Sequence, residues 1–217
     1  MPGCCDATNA HFGAAHAKRD LKRYRTKGPD VTTQFVIDGL RALGLRDMTL
    51  LDIGTGIGII NHELMRDICV QATLVDMSSA YLEAAFQEAE RQGYSENIRF
   101  IQGDLVSRSK DLPVADFVTL DRVVCCYPDF PNLLANATAR CRRALGMVYP
   151  RDRLPSRIML ALYNLKHVLK RDPFRAFIHP VDEIEAQIRD AGFETLSEMT
   201  TLFWKSVVFV KREDARA

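Results

Sequence analysis

Three glycines, each separated from the next by one residue, follow a hydrophobic run and open an apolar helix. The run and the loop read Leu51-Asp52-Ile53-Gly54-Thr55-Gly56-Ile57-Gly58. Because glycine has no Cβ, such a loop can turn tightly and bring its backbone against a ligand. The unpaired N–H groups at the start of the following helix favour an anionic or polar group. The segment therefore predicts a nucleotide-like ligand at a strand-to-helix turn.

Acidic residues stand at the ends of the next two predicted strands. Asp76, followed by Met77, ends the second strand, and Asp104, followed by Leu105, comes directly after the third. A carboxylate at the tip of the second strand is placed to accept hydrogen bonds from both hydroxyls of a ribose, as in dinucleotide sites. These positions are therefore candidate ligand contacts. A helix cap at Asp76 and a turn at Gly103-Asp104 are the alternative interpretations.

The glycine spacing differs from the usual dinucleotide fingerprint, G-x-G-x-x-G. The chain has D-x-G-x-G-x-G instead, and this pattern resembles motif I of the class I S-adenosylmethionine-dependent methyltransferases. The resemblance implies S-adenosylmethionine as the cofactor, with an acidic residue on the adenine amino group and an apolar residue on the ring. The implied cofactor residues are Asp52, Gly54, Thr55, Gly56, Gly58, Asp76, Met77, Asp104, Leu105 and Asp121. A nicotinamide or flavin is the competing cofactor, and the glycine spacing argues against both.

Length and composition restrict the class of protein. The chain has 217 residues, enough for one domain with its own core, and its net charge of +1 is not the basic excess of a general nucleic-acid binder. It has no apolar run long enough to span a bilayer, and its first residues lack the pattern of a signal peptide. We therefore expect a cytoplasmic protein that binds no nucleic acid. Its six cysteines form no C-x-x-C pair, so no metal site is predicted.

Strand and helix patterns alternate from residue 49 onward. Strands are predicted at 49–53, 72–76, 98–102, 117–120 and 146–149, and helices at 59–66, 79–92, 130–143 and 181–191. This alternation predicts an α/β fold with a doubly wound, mostly parallel, seven-stranded Rossmann-like sheet. Two successive strands, at 194–199 and 202–211, end the chain. We therefore expect an antiparallel terminal strand, as the class I methyltransferase fold has.

The whole chain, 1–217, is expected to form a single methyltransferase domain. Residues 1–45 would be an N-terminal arm and helical cap, with a basic helix at 14–27, and residues 46–217 the cofactor-binding core. A helical insertion at about 154–170 is both apolar and basic. It could wall a substrate pocket, contact a second subunit or lie on a membrane surface, in that order of expectation. The protein is expected to be a monomer or a homodimer.

The methyl acceptor should lie at the end of the fourth strand, because ligands of such sheets sit beyond the carboxyl ends of the strands. There the chain reads Asp121-Arg122-Val123-Val124-Cys125-Cys126-Tyr127-Pro128. The length and the Tyr-Pro ending of this segment resemble the magnesium-protoporphyrin O-methyltransferases, which esterify a propionate, and a patchy likeness extends over residues 48–212. That family has a histidine directly before the Tyr-Pro, where this chain has Cys126.

These features predict the transfer of a methyl group from S-adenosylmethionine to a small-molecule acceptor. The resemblance implies an oxygen acceptor, either a carboxylate or a hydroxyl. Methyl transfer depends mainly on alignment, and it needs a base only when the nucleophile starts protonated. The candidate catalytic residues are Asp121, Cys126 and Tyr127, with further polar groups at His11, His16 and His179.

Two other functions stay open. Because thiolates select soft metals and metalloids, Cys125-Cys126 could bind the substrate of a thiol or metalloid methyltransferase. Cys4-Cys5 could then fold over the same opening of the pocket. Cys125 and Cys126 could instead be small apolar side chains at a buried strand end. The chain could also bind S-adenosylmethionine without turnover, as a partner protein.

Overall fold

Seven strands form one sheet, which is parallel except at one edge. The computed structural model describes Asn9 and residues 11–212. In chain order the strands are β1 (Met48–Ile53), β2 (Cys69–Asp76), β3 (Ile98–Gln102), β4 (Ala115–Asp121), β5 (Cys141–Pro150), β6 (Phe193–Thr200) and β7 (Trp204–Lys211). Their spatial order is β3-β2-β1-β4-β5-β7-β6, and β7 is antiparallel to both β5 and β6. The predicted doubly wound sheet with an antiparallel terminal strand is therefore confirmed.

Helices follow β1, β2, β4 and β5, and two helices precede the first strand, whereas β3 and β4 are joined by a segment with one 3₁₀ turn, Ser109–Asp111. The helices are α1 (Ala14–Lys27), α2 (Val31–Arg41), α3 (Ile59–Leu64), α4 (Ser79–Gln92), α5 (Phe130–Ala139), α6 (Leu154–Leu169) and α7 (Val181–Asp190). Asp30 caps α2, since its side chain accepts hydrogen bonds from the N–H groups of Thr32 and Thr33. In residues 11–212, no helix combines the length and the hydrophobicity needed to cross a bilayer.

Two hydrophobic layers cover the sheet, because successive residues of a strand point to opposite faces. In β1, Leu50 packs in the layer of α2, α3 and α4, whereas Leu51 packs in the layer of α5 and α7. Residues of β4 and β5 divide between the layers in the same way. The central strands are buried on both faces, which explains why they occur in the sequence as continuous apolar runs.

The boundary between α5 and β5 differs from the sequence prediction. The helix predicted at 130–143 ends at Ala139, and β5 begins at Cys141 rather than at Gly146. Cys141 pairs with Ala115 of β4. This backbone pairing satisfies the N–H and carbonyl groups of the segment and overrides its local helix propensity.

Candidate functional site

The candidate site lies beyond the carboxyl ends of β1 and β4, where the strand order changes direction. β1 pairs with β2 on one side and with β4 on the other. In doubly wound sheets such a switch point leaves a crevice for a ligand. The glycine loop after β1 lies against the segment after β4, since a Cβ on Gly54 would collide with the Val123 side chain.

The glycine loop needs its glycines for the backbone conformation that it adopts. Gly54, Gly56 and Gly58 have φ values of 61°, 56° and 79°, a left-handed region in which residues with a Cβ are strained. The Gly54 N–H donates to the carbonyl of Val75 at 2.7 Å. The loop is therefore a turn that β2 holds at its start.

The Asp52 carboxylate joins the glycine loop to β4. Its Oδ2 accepts a hydrogen bond from Thr55 Oγ1 and its Oδ1 accepts one from Thr119 Oγ1, both at 2.6 Å. Burial raises the pKa of Asp52 to about 7, against the effect of the two hydroxyls. Both oxygens are thus engaged within the protein, and contact of Asp52 and Thr55 with the cofactor stays a prediction.

Asp76 stands at the end of β2 with its carboxylate oriented by backbone groups. Its Oδ2 accepts from the Gly56 N–H and its Oδ1 from the Ser78 N–H, both at 2.8 Å. Burial raises the pKa of Asp76, whereas these N–H groups lower it. Because each carboxylate oxygen has two lone pairs, both can accept a second hydrogen bond. Asp76, the residue predicted to bind the ribose, is therefore hydrogen-bonded directly to the glycine loop at Gly56.

The residues predicted to contact adenine follow β2 and β3. The Asp104 carboxylate accepts from the Ser107 N–H at 2.8 Å, and Leu105 is buried in the core. Met77 is half-buried, and its carbonyl accepts from Gln102 Nε2 at 3.3 Å. The ends of β2 and β3 therefore lie side by side, and the contacts of these residues with adenine stay predictions.

Asp121, at the end of β4, belongs to a charged network that the sequence analysis did not identify. Its Oδ2 accepts from Thr33 Oγ1 at 2.6 Å, and its buried Oδ1 lies 3.3 Å from the Arg122 guanidinium without a hydrogen bond. Arg122 also donates to the Asp30 carboxylate at 2.8 Å and stacks over Trp204, 5.1 Å from the ring centroid. Burial raises the pKa of Asp121, against the effect of Arg122.

The sequence carries little signal for this network. Asp30 stands at a helix-cap position, directly after Gly28-Pro29 and before α2. Burial of its carboxylate is outweighed by Arg122, which holds the Asp30 pKa well below its usual range. Arg122 and Trp204 join parts of the chain that are far apart in sequence. The network connects α2, the end of β4 and the start of β7 beside the crevice.

The segment after β4 carries the other two predicted catalytic residues. The thiols of Cys125 and Cys126 donate to the same carbonyl, that of Arg122, at 3.2 and 3.7 Å, and their sulfurs are 3.8 Å apart. Cys125 is buried and Cys126 half-buried. His179 Nε2 donates to the Tyr127 carbonyl at 2.9 Å. His179 therefore holds the backbone of this segment, and the catalytic roles of Cys126 and Tyr127 stay predictions.

The N-terminal segment covers the same edge of the sheet and meets α6 there. The Phe12 carbonyl accepts a hydrogen bond from Ser78 Oγ, next to Asp76. His11 Nε2 lies 3.0 Å from the Tyr163 hydroxyl on α6, and His11 Nδ1 lies 3.3 Å from Asp172 Oδ2. Burial lowers the pKa of His11, against the hydrogen bond to Asp172.

The inner face of α6 is connected to the segment after β4. Asn164 Nδ2 donates to the Ala176 carbonyl at 2.8 Å, and the Phe177 N–H donates to the Cys125 carbonyl at 2.7 Å. Burial, with the nearby cysteines, raises the pKa of Tyr163 to about 12. Tyr163 and His11 therefore stand close to the end of β4. His16, the remaining histidine candidate, is half-buried with its ring centroid 5.5 Å from that of His11.

Replacing Asp52 with asparagine should change how stability depends on pH. The Asp52 pKa of about 7 lies above its ordinary value of 3.8, so the folded protein holds the proton more tightly. Asp52 therefore stabilises the fold most at low pH, and this contribution falls as the pH rises toward about 7. Urea unfolding from about pH 5 to about pH 8 should show that the free energy of unfolding falls in the wild type, relative to Asp52→Asn, by at most about 3 kcal/mol.

The exposed carboxylate Asp111 provides the control for this measurement. Asp111→Asn should keep the pH dependence of the wild type, because its side chain is about half exposed to solvent. Parallel pH profiles for wild type and Asp52→Asn would contradict a raised pKa for Asp52.

The sequence matches one family model, described as a methyltransferase domain, over residues 45–198. No curated protein matches it. Among solved structures, it is similar to magnesium protoporphyrin IX methyltransferase from Synechocystis PCC 6803 with bound SAH, with 19% identity and a TM-score of 0.72, over 96% of this chain and 100% of that one.

Two further solved structures extend the comparison. A putative sarcosine dimethylglycine methyltransferase from Galdieria sulphuraria has 12% identity and a TM-score of 0.63, over 83% of this chain and 85% of that one. The [4+2]-cyclase SpnF has 16% identity and a TM-score of 0.61, over 82% of this chain and 79% of that one. These likenesses agree with the observed fold. Because the family model covers more than half of the sequence, the chain belongs to the methyltransferase-domain family, as an S-adenosylmethionine-dependent methyltransferase.

Proposed function

We propose that the enzyme transfers the methyl group of S-adenosylmethionine to an oxygen atom of a small molecule bound at the end of β4. The observation that carries the proposal is the convergence of the glycine loop, Asp76 and Asp121 at the switch point of the sheet. In-line transfer requires the sulfonium methyl and the acceptor to be aligned in one crevice. Two of the similar structures are named for methyltransferases of small molecules, magnesium protoporphyrin IX and sarcosine dimethylglycine.

The described residues fit the cofactor at two charged points. Asp76 would accept hydrogen bonds from the ribose hydroxyls, since its oxygens keep acceptor capacity beyond the two backbone N–H groups. Asp121 would face the ammonium group of the methionine part, because its buried Oδ1 accepts no hydrogen bond and the nearby Arg122 guanidinium donates to Asp30 instead. S-adenosylmethionine supplies an activated methyl on positive sulfur, and the protein supplies binding and alignment.

The remaining cofactor residues would shape the pocket around these two points. Asp104 would accept from the adenine amino group, with Met77 and Leu105 against the ring. The residues at the end of β1 and in the glycine loop would approach the cofactor through their backbone: Asp52, Gly54, Thr55, Gly56 and Gly58. We propose one methyltransferase domain without a nucleic-acid partner. A cytoplasmic location and a monomeric or homodimeric state stay predictions.

Replacing Asp76 with alanine should weaken the binding of S-adenosylmethionine at least about tenfold, because two hydrogen bonds to a charged acceptor are lost. Isothermal titration calorimetry with S-adenosylmethionine and S-adenosylhomocysteine would measure the loss, and circular dichroism would check the fold. Asp76→Asn, which keeps one acceptor oxygen, should lie between wild type and Asp76→Ala. The exposed Asp111→Ala should bind as the wild type does. Unchanged affinity in Asp76→Ala would refute the ribose assignment.

A hydroxyl acceptor would lose its proton through Tyr163 and His11. The Tyr163 hydroxyl lies 3.0 Å from His11 Nε2, and Asp172 holds the other ring nitrogen. Because burial lowers the pKa of His11, the neutral ring is favoured, and its Nε2 can accept a proton. The acceptor would transfer its proton toward this pair as its oxygen attacks the methyl carbon. A carboxylate acceptor starts ionised and would not need the pair.

The two cysteines support a thiol or metalloid acceptor as a second candidate. Their sulfurs are 3.8 Å apart at the end of β4, close enough to bind one soft ion. Against this candidate, Cys125 is buried and both thiols donate to one carbonyl. The pair Cys4-Cys5 lies outside the described residues.

The acceptor can be identified with methyl-labelled S-adenosylmethionine and an extract of the source organism, followed by mass spectrometry of the labelled product. For a hydroxyl acceptor, His11→Ala should lower kcat by about a hundredfold, with partial recovery at high pH, and Tyr163→Phe should lower it as well. For a carboxylate acceptor both variants should keep most of their activity. A loss of turnover in Cys126→Ser would support the predicted catalytic role of Cys126, and unchanged turnover would remove it.

Three outcomes would contradict the oxygen acceptor. Methylation of arsenite or small thiols that Cys126→Ser abolishes would favour the second candidate. A labelled product carrying the methyl on nitrogen would identify a different acceptor atom. Cofactor binding with no labelled product from any extract would indicate a protein that binds S-adenosylmethionine without turnover.

A further inference from the structure

We propose that α6 lies along an anionic membrane surface, with its outward face in the interfacial region of the lipids. Six large apolar side chains on this helix are between 51% and 76% exposed, and they are Leu154, Ile158, Leu162, Leu165, Val168 and Leu169. At about 100° per residue, these positions occupy about one third of the helix circumference. Single exposed leucines are ordinary on protein surfaces, whereas a contiguous apolar stripe marks an interaction site.

The opposite face of α6 already has its partners within the protein. Ser156 and His167 are buried, Asn164 donates to Ala176, and the Tyr163 hydroxyl lies 3.0 Å from His11. The outward stripe is therefore separate from this inner face. A substrate-pocket wall, the first expectation for this insertion, stays a prediction and would be formed by the inner face.

The charges around the stripe favour an anionic surface. The helix contains no acidic residue. Arg157 and Lys166 lie on opposite sides of the apolar arc, and Arg157 is paired with Asp152 just before the helix. Lys170 and Arg171 follow directly at its end. An apolar face flanked by basic side chains is the pattern of a helix that lies in the plane of an anionic membrane.

The dimensions of the helix and its surroundings fit this orientation. Its 16 residues span about 24 Å, less than the roughly 30 Å of a bilayer core. Leu202, in the turn between β6 and β7, is a further exposed apolar residue. This turn adjoins the start of α6, since the Phe203 carbonyl accepts from Ser156 Oγ at 3.3 Å.

A second copy of the chain would be a poorer partner for this face. Two stripes packed against each other would bring basic flanks together, and α6 has no acidic side chain to pair with them. Lipid headgroups such as phosphatidylserine supply the missing negative charge. The proposal is independent of the proposed reaction, because it concerns lipid binding in the absence of cofactor and acceptor.

Vesicle flotation of the full chain tests the proposal. The protein should float with vesicles of phosphatidylcholine and phosphatidylserine in low salt and not with vesicles of phosphatidylcholine alone. Leu162→Glu should reduce binding about tenfold, because an apolar side chain is replaced by a charge. Lys166→Glu should weaken binding to the anionic vesicles and make the remaining binding less sensitive to salt. Val114→Glu, which changes an exposed valine outside α6, should bind as the wild type does.

Two results would overturn the proposal. The first is equal binding of wild type and Leu162→Glu to the anionic vesicles, or no binding of either, with thermal melting showing both folded. The second is a dimer in sedimentation velocity that Leu162→Glu converts to a monomer while no variant binds vesicles, which would assign the stripe to a second copy. Because the Leu162 side chain is exposed, its replacement should leave the fold intact.

Discussion

The buried carboxylate of Asp52 is the contact on which the geometry of the site depends. It bonds the glycine loop through Thr55 and β4 through Thr119, so it sets where the loop lies relative to the end of β4. Asp76 attaches to the same loop at Gly56 from the other side. Burying such a carboxylate raises its pKa, and its two hydroxyl donors compensate part of that cost.

A second set of contacts builds the side of the crevice where we propose that the acceptor binds. Arg122 joins the cap of α2, the end of β4 and Trp204 at the start of β7. The pair of His11 and Tyr163 joins the N-terminal segment to α6. The proposed acceptor side is therefore built from segments far apart in sequence, whereas the proposed cofactor side is built from the ends of successive strands. Short sequence patterns therefore predicted the fold and the cofactor. The identity of the acceptor depends on contacts between distant segments, which such patterns do not contain.

The helix α6 shows the limit of reading an amphipathic pattern. Its apolar and basic residues predicted a helix over almost the observed range, but the pattern does not say which face points inward. Packing decided that Tyr163 and His167 face the protein and that Leu162 and Leu165 face outward. The start of β5 was misplaced for a related reason, since pairing of Cys141 with Ala115 is a contact between distant residues.

The sequence by itself determined the alternating elements, the sheet type and the glycine loop, because hydrophobic periodicity and glycine conformation are local properties. It also marked the acidic residues Asp76 and Asp104 at the strand ends. Only the tertiary structure decided that Thr119 of β4 donates to Asp52, that Arg122 neutralises Asp30, and that His11 reaches Tyr163. These are contacts between side chains brought together by folding, and no short sequence pattern encodes them.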